Sequence, residues 1–239
     1  MADSCRSYGP PGGGFEFDAL AGAVRYRAAL VREFGPWLRG RVLEVGAGIG
    51  QLTALIRDCA GVEALVAVEP DPGFCRRLRE DLPDVETVEG TVAAVDPSSV
   101  WDALISVNVL EHIADDAAEL SAYRRLLTGR GGHLCLFVPA GPGLLSPMDR
   151  DFGHHRRYTR GGLRRLLVEA GFDVLRLHPF NMVGYFAWWL AFKVLRRRRF
   201  NPAAVRFFDR RVFPVMHAWE SRVVRPPFGQ SLLAVANCR

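Results

Sequence analysis

The run Val42-Leu43-Glu44-Val45-Gly46-Ala47-Gly48-Ile49-Gly50-Gln51-Leu52-Thr53 decides the fold. Its opening is apolar and rich in β-branched residues, the pattern of a strand buried in a parallel sheet. Three glycines at alternate positions then break the strand, and an apolar-periodic helix follows from about Leu52 to Cys59. Strand, glycine turn and helix form the opening of a nucleotide-binding βαβ unit. The glycines permit a tight turn and let backbone amides approach a ligand with no Cβ in the way. The helix N-terminus turns a partial positive charge toward the same spot.

The spacing separates two ligand classes. A dinucleotide fold uses G-x-G-x-x-G. Here Gly46, Gly48 and Gly50 give G-x-G-x-G, with Gln51 in place of the last glycine of the dinucleotide pattern and Glu44 two residues before the first. This resembles motif I of the class I S-adenosylmethionine (SAM)-dependent methyltransferases. SAM carries an amino acid and a nucleoside but no pyrophosphate, so such a loop need not hold a diphosphate. The resemblance implies cofactor contacts from Glu44, Gly46, Ala47, Gly48 and Gln51.

Later segments extend it. Ala64–Val68 reads as a second buried strand and ends in Glu69-Pro70-Asp71. Glu69 matches the family's motif II, whose acid holds the ribose; two carboxylate oxygens suit a vicinal diol. Glu69 and Pro70 are therefore cofactor candidates, while Asp71 is placed to start the basic helix Pro72–Leu82. A short strand, Val85–Val88, leads to Gly90-Thr91-Val92, where the family often has an acid against the adenine amino group. This chain lacks it, which leaves the backbone or the Thr91 hydroxyl for that contact. Trp101–Leu110 is a fourth strand, and its exit, "NVLEHI", resembles motif IV, placing Asn108 and Val109 beneath the methyl-donor pocket. His112 is read as a structural or cofactor-side residue, with catalytic base as the alternative. A glycine-rich turn (Gly129, Gly131, Gly132) precedes a fifth strand, His133–Pro139.

The resemblance covers about residues 25–179 and the last strand, Ser231–Ala236. It implies an α/β fold: a Rossmann-like seven-stranded, mostly parallel sheet with helices on both faces. The last strand would run antiparallel between the fifth and sixth. The implied cofactor is S-adenosyl-L-methionine, with S-adenosyl-L-homocysteine (SAH) as product. A helix expected over Phe15–Leu38 carries Tyr26, which in this family can lie near the SAM carboxylate; a core position is the other reading.

After strand five, Asp149-Arg150-Asp151-Phe152-Gly153-His154-His155-Arg156-Arg157-Tyr158-Thr159 resembles the "GHxRRYT" signature of a bacterial small-molecule methyltransferase subgroup. The segment leaves the carboxyl edge of the sheet and can overhang the site. His154 and, second, His155 are candidate catalytic bases, and Arg156, Arg157 and Tyr158 candidate substrate anchors. The alternative is a structural loop tied by Asp149–Arg pairs. A helix from Arg160 to Ala170 and a sixth strand, Phe172–Pro179, follow.

Residues 180–230 are too long for a hairpin connection and helical in pattern, so they are expected to form a cap over the substrate. Tyr185 is a candidate substrate contact there. The apolar part of Met182–Phe192 is shorter than the ~20 residues that span a bilayer. With Lys193 and Arg196–Arg199 it fits a substrate wall or a dimer face first, and an interfacial membrane helix second.

The chain has 239 residues with 49% apolar and 24% charged content, ordinary for one globular domain. Residues 1–14 read as a disordered tail and 15–239 as one domain. The net charge of +5 divides unevenly: residues 176–239 carry +10 and the rest −5, so the basic end could meet an anionic substrate, a membrane surface or nucleic acid. The five cysteines are scattered without paired spacing, and residues 1–15 show no apolar signal core; both point to a reducing cytoplasm. No His/Asp/Glu spacing suggests a metal site. Gln51 argues against an NAD-dependent oxidoreductase, and intact cofactor motifs argue against a non-catalytic scaffold. Without an appended binding domain or a Pro-Pro-Tyr-type motif after strand four, nucleic acid is not an expected partner. The expectation is methyl transfer to a small-molecule oxygen or nitrogen, with a lipid-linked acceptor as the alternative.

Overall fold

The computed structural model of the protein describes residues 20–197, 199–222 and 226–238. The tail expected over 1–14, the start of the helix expected at Phe15, and Arg198 lie outside them. Seven strands, β1 (Gly40–Val45), β2 (Val62–Glu69), β3 (Glu86–Glu89), β4 (Ala103–Val107), β5 (His133–Pro139), β6 (Phe172–Phe180) and β7 (Ser231–Cys238), form one sheet in the order β3-β2-β1-β4-β5-β7-β6. The pairs from β3 across to β5 are parallel, and β7 is antiparallel to both neighbours. The expected insertion of the last strand between the fifth and sixth is therefore observed.

The helices are α1 (Val24–Phe34), α2 (Thr53–Arg57), α3 (Pro72–Asp81), α4 (Asp116–Thr128), α5 (Pro147–Asp151), α6 (Arg160–Glu169), α7 (Met182–Trp188), α8 (Pro202–Phe207) and α9 (Phe213–Arg222). Successive strand residues point to opposite faces, so each central strand feeds two cores. Leu43, Val45, Leu104 and Leu136 pack with Leu120, Tyr123 and Leu127 of α4 and Leu163 and Leu167 of α6. Val42, Ile105 and Phe137 pack on the other face with Leu30 and Phe34 of α1, Ile56 of α2 and Leu78 of α3.

Two boundaries move for local reasons. α1 begins at Val24 because the chain turns at Ala21 and Gly22. β4 stops at Val107, not at Leu110, because Asn108 takes a left-handed backbone (φ 54°) and Leu110–His112 tighten into a 3₁₀ turn. A left-handed residue cannot continue a strand.

Sheet order reverses between β1 and β4, which are hydrogen-bonded neighbours with Val45 opposite Ser106. In open α/β sheets the crevice outside the carboxyl ends at such a point receives the ligand. The Gly46 turn and the Asn108–His112 turn both leave the sheet there.

The cap does two jobs. Phe213 of α9 lies in the same core as α1 and β5, and the buried Asp209 carboxylate accepts from the backbone amides of Arg25 and Tyr26 at 3.0 and 2.8 Å. This half of the cap is part of the domain core. The other half, α7 and the π-helical turns Trp189–Val194, packs Trp188 and Phe192 against Leu144 and Met148 in a separate cluster beside the segment after β5.

Candidate active site

The cofactor half is built by the β1 and β2 exits. Gly46, Gly48 and Gly50 all have positive φ (78°, 58° and 81°). A Cβ on Gly46 would be driven into Val109 Cγ2, so this glycine lets the β1 turn close on the β4 exit; the obstacle is protein, not the ligand as first expected. Glu69 is buried, and each of its carboxylate oxygens accepts one backbone amide: Oε2 from Gly48 at 2.8 Å and Oε1 from Asp71 at 2.9 Å. The clamp fixes the carboxylate plane and leaves one lone pair per oxygen, an arrangement suited to a vicinal diol. Asp71 caps α3, accepting from Gly73 and Phe74, as expected from sequence.

Glu44 is buried at the end of β1, and its Oε2 has no hydrogen-bond partner. Burial, opposed by Thr53 and reinforced by nearby Glu69, pushes its carboxyl up to about 8. A buried, unpartnered carboxyl oxygen favours a cationic ligand group. Both glutamates fit SAM, which offers an α-ammonium at one end and a ribose diol at the other.

The remaining cofactor candidates divide. Asn108 is exposed at the β4 exit in its strained backbone, and Val109 is buried beneath it. Strain of this kind concentrates at functional sites. Ala47 is buried in the glycine turn, while Gln51 and Pro70 are half-buried beside it. Gly90 donates its amide to Glu69 O at 2.9 Å, the Thr91 hydroxyl caps the next turn by accepting from Ala93 at 3.4 Å, and Val92 points into the core. The Thr91 O–H and the backbone of this segment therefore keep donor and acceptor capacity. The Tyr26 ring packs against Phe180 (5.3 Å between centroids) and Phe213 (5.0 Å), with its hydroxyl toward Ser231 and Asn181 and its pKa raised by burial. The core alternative holds for this residue.

The second half of the candidate site is the segment from α5 to α6. Ser146 and Asp149 form a capping box at the start of α5. Buried Asp149 accepts from Ser146 N (2.8 Å) and Oγ (2.7 Å) at Oδ2, and from Arg157 Nε (2.7 Å) at Oδ1, which also lies 3.1 Å from His154 Nδ1. Burial alone would raise the Asp149 carboxyl, but His154, Arg157 and Ser146 together hold it down at about 2. An ionised Asp149 requires a proton on His154 Nδ1, which leaves the Nε2 lone pair free to accept a proton.

Arg157, expected as a substrate anchor, is already committed. Its side chain is 2% exposed, paired with Asp149, donating to Ala140 O at 3.1 Å and stacked over the Trp188 ring at 4.6 Å. Arg156 pairs with Asp116 at 2.7 Å and donates to Ala114 O, and the Tyr158 hydroxyl donates to Asp116 at 2.9 Å. Arg156 and Tyr158 tie the segment to the turn after β4, and Arg157 ties it to the end of β5 and to the cap, which is the structural-loop alternative for these side chains. His155 is exposed, and its amide donates to Glu111 O at 2.8 Å. Tyr185 of α7 is half-buried, close against Gly141 at the end of β5.

Sequence reasoning did not assign Asp149 or Glu111 a role in the site. The Ser146-x-x-Asp149 spacing is a capping-box signal that marks Asp149; nothing local marks Glu111. Glu111 is fully buried, with neither carboxyl oxygen hydrogen-bonded, and burial pushes it up to about 8 despite the attraction of Arg157. Its Oε1 lies 3.9 Å from His154 Nε2. The His112 ring meets the His154 ring edge-on at 4.6 Å, and burial and the two neighbouring histidines drive its pKa down to about 3. His112 is thus neutral at working pH. The expectation that no metal-ligating groups cluster needs correction: Glu111, His112 and His154 bring one ligand atom each within 4.8 Å of one another. The fold, through Arg156 and Tyr158, gathers groups that are some forty residues apart in sequence.

The sheet order, glycine turn and paired glutamates together define a class I SAM-dependent methyltransferase fold. The chain belongs to the methyltransferase-domain family, whose model matches residues 20–177, and the cofactor of this domain is SAM. A probable SAM-dependent methyltransferase of Mycobacterium tuberculosis (strain H37Rv) is 30% identical over 136 residues, 55% of this chain and 48% of that protein. The malonyl-[acyl-carrier protein] O-methyltransferase of Geobacter sulfurreducens is 26% identical over 164 residues, 61% of this chain and 60% of that protein. The chain thus matches about half the length of these curated relatives. A solved SAM-dependent methyltransferase from Mesorhizobium loti shares the fold, with a TM-score of 0.60 at 17% identity over 91% of this chain and 99% of that one.

Proposed function

We propose that the protein transfers a methyl group from SAM to an oxygen or nitrogen of a small-molecule acceptor, with His154 as the base. The observation that carries this reading is the Asp149–His154 pair at the carboxyl edge of the sheet, next to the cofactor turns. Glu69 would hold the ribose diol and Glu44 the α-ammonium. SAM supplies an electrophilic sulfonium methyl and leaves as SAH. The chain's own work is to align the acceptor, exclude water and take its proton. Asp149 fixes the His154 tautomer and orientation, and neutral His112 packs against the imidazole without competing for charge. Tyr185 of the cap would be a further acceptor contact.

The test begins with a metabolite screen for SAH release. With an acceptor in hand, His154→Ala should lower kcat by about 10²–10⁴-fold and leave SAH affinity unchanged. Asp149 keeps its Ser146 and Arg157 partners in that variant, so the fold should hold. If the acceptor is a carboxylate, no proton is lost and the effect should shrink to about tenfold or less. Chelation with EDTA should leave the rate intact. Full activity of His154→Ala, or an EDTA-sensitive rate restored by a divalent ion, would remove His154 as the base.

A further inference from the structure

We propose that the outer face of α7 and the π-helical turns after it docks the protein on an anionic lipid surface. The two faces of this element are sharply divided. Trp188 and Phe192 are buried against the segment after β5. Phe186, Trp189, Leu190, Val194 and Leu195 are 47–54% exposed. Phe228, itself 39% exposed, sets its ring 5.7 Å from that of Phe186 and widens the patch. Large apolar side chains gathered on one exposed face mark an interaction surface.

The charge around the patch selects the partner. Arg196 and Arg197 border it and are exposed, while Lys193, also exposed, spends its ammonium on Leu145 O at 2.9 Å in the segment after β5. Residues 182–208 contain no Asp or Glu. The two acids of the cap are both spent inside it: Asp209 holds the α1 amides, and buried Glu220 accepts from Met182 N at 2.9 Å. The cap therefore shows apolar and cationic groups and no exposed acid among the described residues. Trp and Phe beside Lys and Arg are the composition of a helix lying in a bilayer interface, where the cations meet anionic headgroups. A second copy of the chain is the poorer fit, because face-to-face association would bring Arg196 and Arg197 against their like. None of the described helices is long and apolar enough to cross a membrane, so the element lies on the surface.

Docking also has a route to the site. Trp188, on the inner face of the same helix, stacks on Arg157, which pairs with Asp149, which holds His154. The docked face is one helix thickness, about 10 Å, from the segment that carries the base. The docking surface does not depend on the methyl-transfer reading and is tested without turnover.

The full chain is mixed with sucrose-loaded vesicles of phosphatidylcholine alone or with phosphatidylglycerol, and sedimented. It should pellet with the anionic vesicles at ~0.1 M salt and release toward ~1 M, as the Debye length falls from about 10 Å to about 3 Å. Trp189→Ser/Leu190→Ser should weaken vesicle binding by about tenfold or more while SAH affinity, which reports the fold, stays unchanged. Arg196→Glu/Arg197→Glu should abolish the preference for anionic vesicles. Failure to pellet with anionic vesicles at low salt overturns the proposal, and so does equal, salt-insensitive binding to both compositions. A concentration-dependent dimer that Trp189→Ser/Leu190→Ser dissolves, without vesicle binding, assigns the face to a second copy instead.

Discussion

Replacing Glu69 by Gln tests the cofactor half with one changed atom. In the wild type both carboxylate oxygens accept a backbone amide, from Gly48 at 2.8 Å and Asp71 at 2.9 Å. Each keeps one lone pair for a ribose hydroxyl. The glutamine NH₂ must face one of those amides, donor against donor, so one clamp opens and one diol contact is lost. A hydrogen bond to a charged group contributes about 1.5–3 kcal/mol, and each 1.4 kcal/mol is about tenfold. SAH should therefore bind about 10–150-fold more weakly. Isothermal titration of SAH measures this, with thermal unfolding as the check that the β2 exit is intact. A 2′-deoxy analogue completes a double-mutant cycle: it should bind the wild type much more weakly than SAH, yet show little further loss in Glu69→Gln. Burial raises the Glu69 carboxyl above its ordinary value, so SAH affinity should also decline as acidification protonates it. A folded Glu69→Gln protein that binds SAH within about twofold of wild type would refute the diol assignment.

Two further outcomes concern stability. Gly46→Ala forces a left-handed alanine and a Cβ against Val109, which should cost about 2–4 kcal/mol in urea unfolding. Val109→Ala in the same chain should restore the packing share, and a Gly46→Ala protein as stable as wild type would sink this account of the turn. Glu111 has a folded pKa of about 8, above its ordinary 4.5. A raised carboxyl pKa stabilises fully below the unfolded value, and that contribution is lost as pH rises toward the folded one. Glu44 adds the same trend. Between pH 5 and about 8 the wild-type Tm should fall more steeply than that of Glu111→Gln, so parallel profiles would mean that Glu111 does not ionise there.

What the sequence determined by itself is the part written in short-range pattern. Apolar strand runs, the alternate glycines, the acid after strand two and the Asp71 cap each depend on neighbours a few residues away, because backbone conformation and side-chain period are local properties. Those signals marked the strands and the first glycine turn, while the order of the sheet, the cofactor contacts and the interest of the stretch containing His154 came from the resemblance to class I methyltransferases. What only the tertiary structure decided is where buried groups spend their hydrogen bonds. Arg157, Arg156 and Tyr158 look like substrate anchors in a string of letters, yet their partners Asp149, Ala140 and Asp116 consume them. Asp149 and Glu111 are ordinary acids in sequence, but one is ionised by four converging donors and the other is pushed up to about 8 by burial. Tyr26 gains its place from Phe213 and Asp209, more than 180 residues away, and α7 shows its inward and outward faces only once the cap has folded onto the segment after β5. Desolvation and long-range pairing act through three-dimensional proximity, which a linear pattern does not carry.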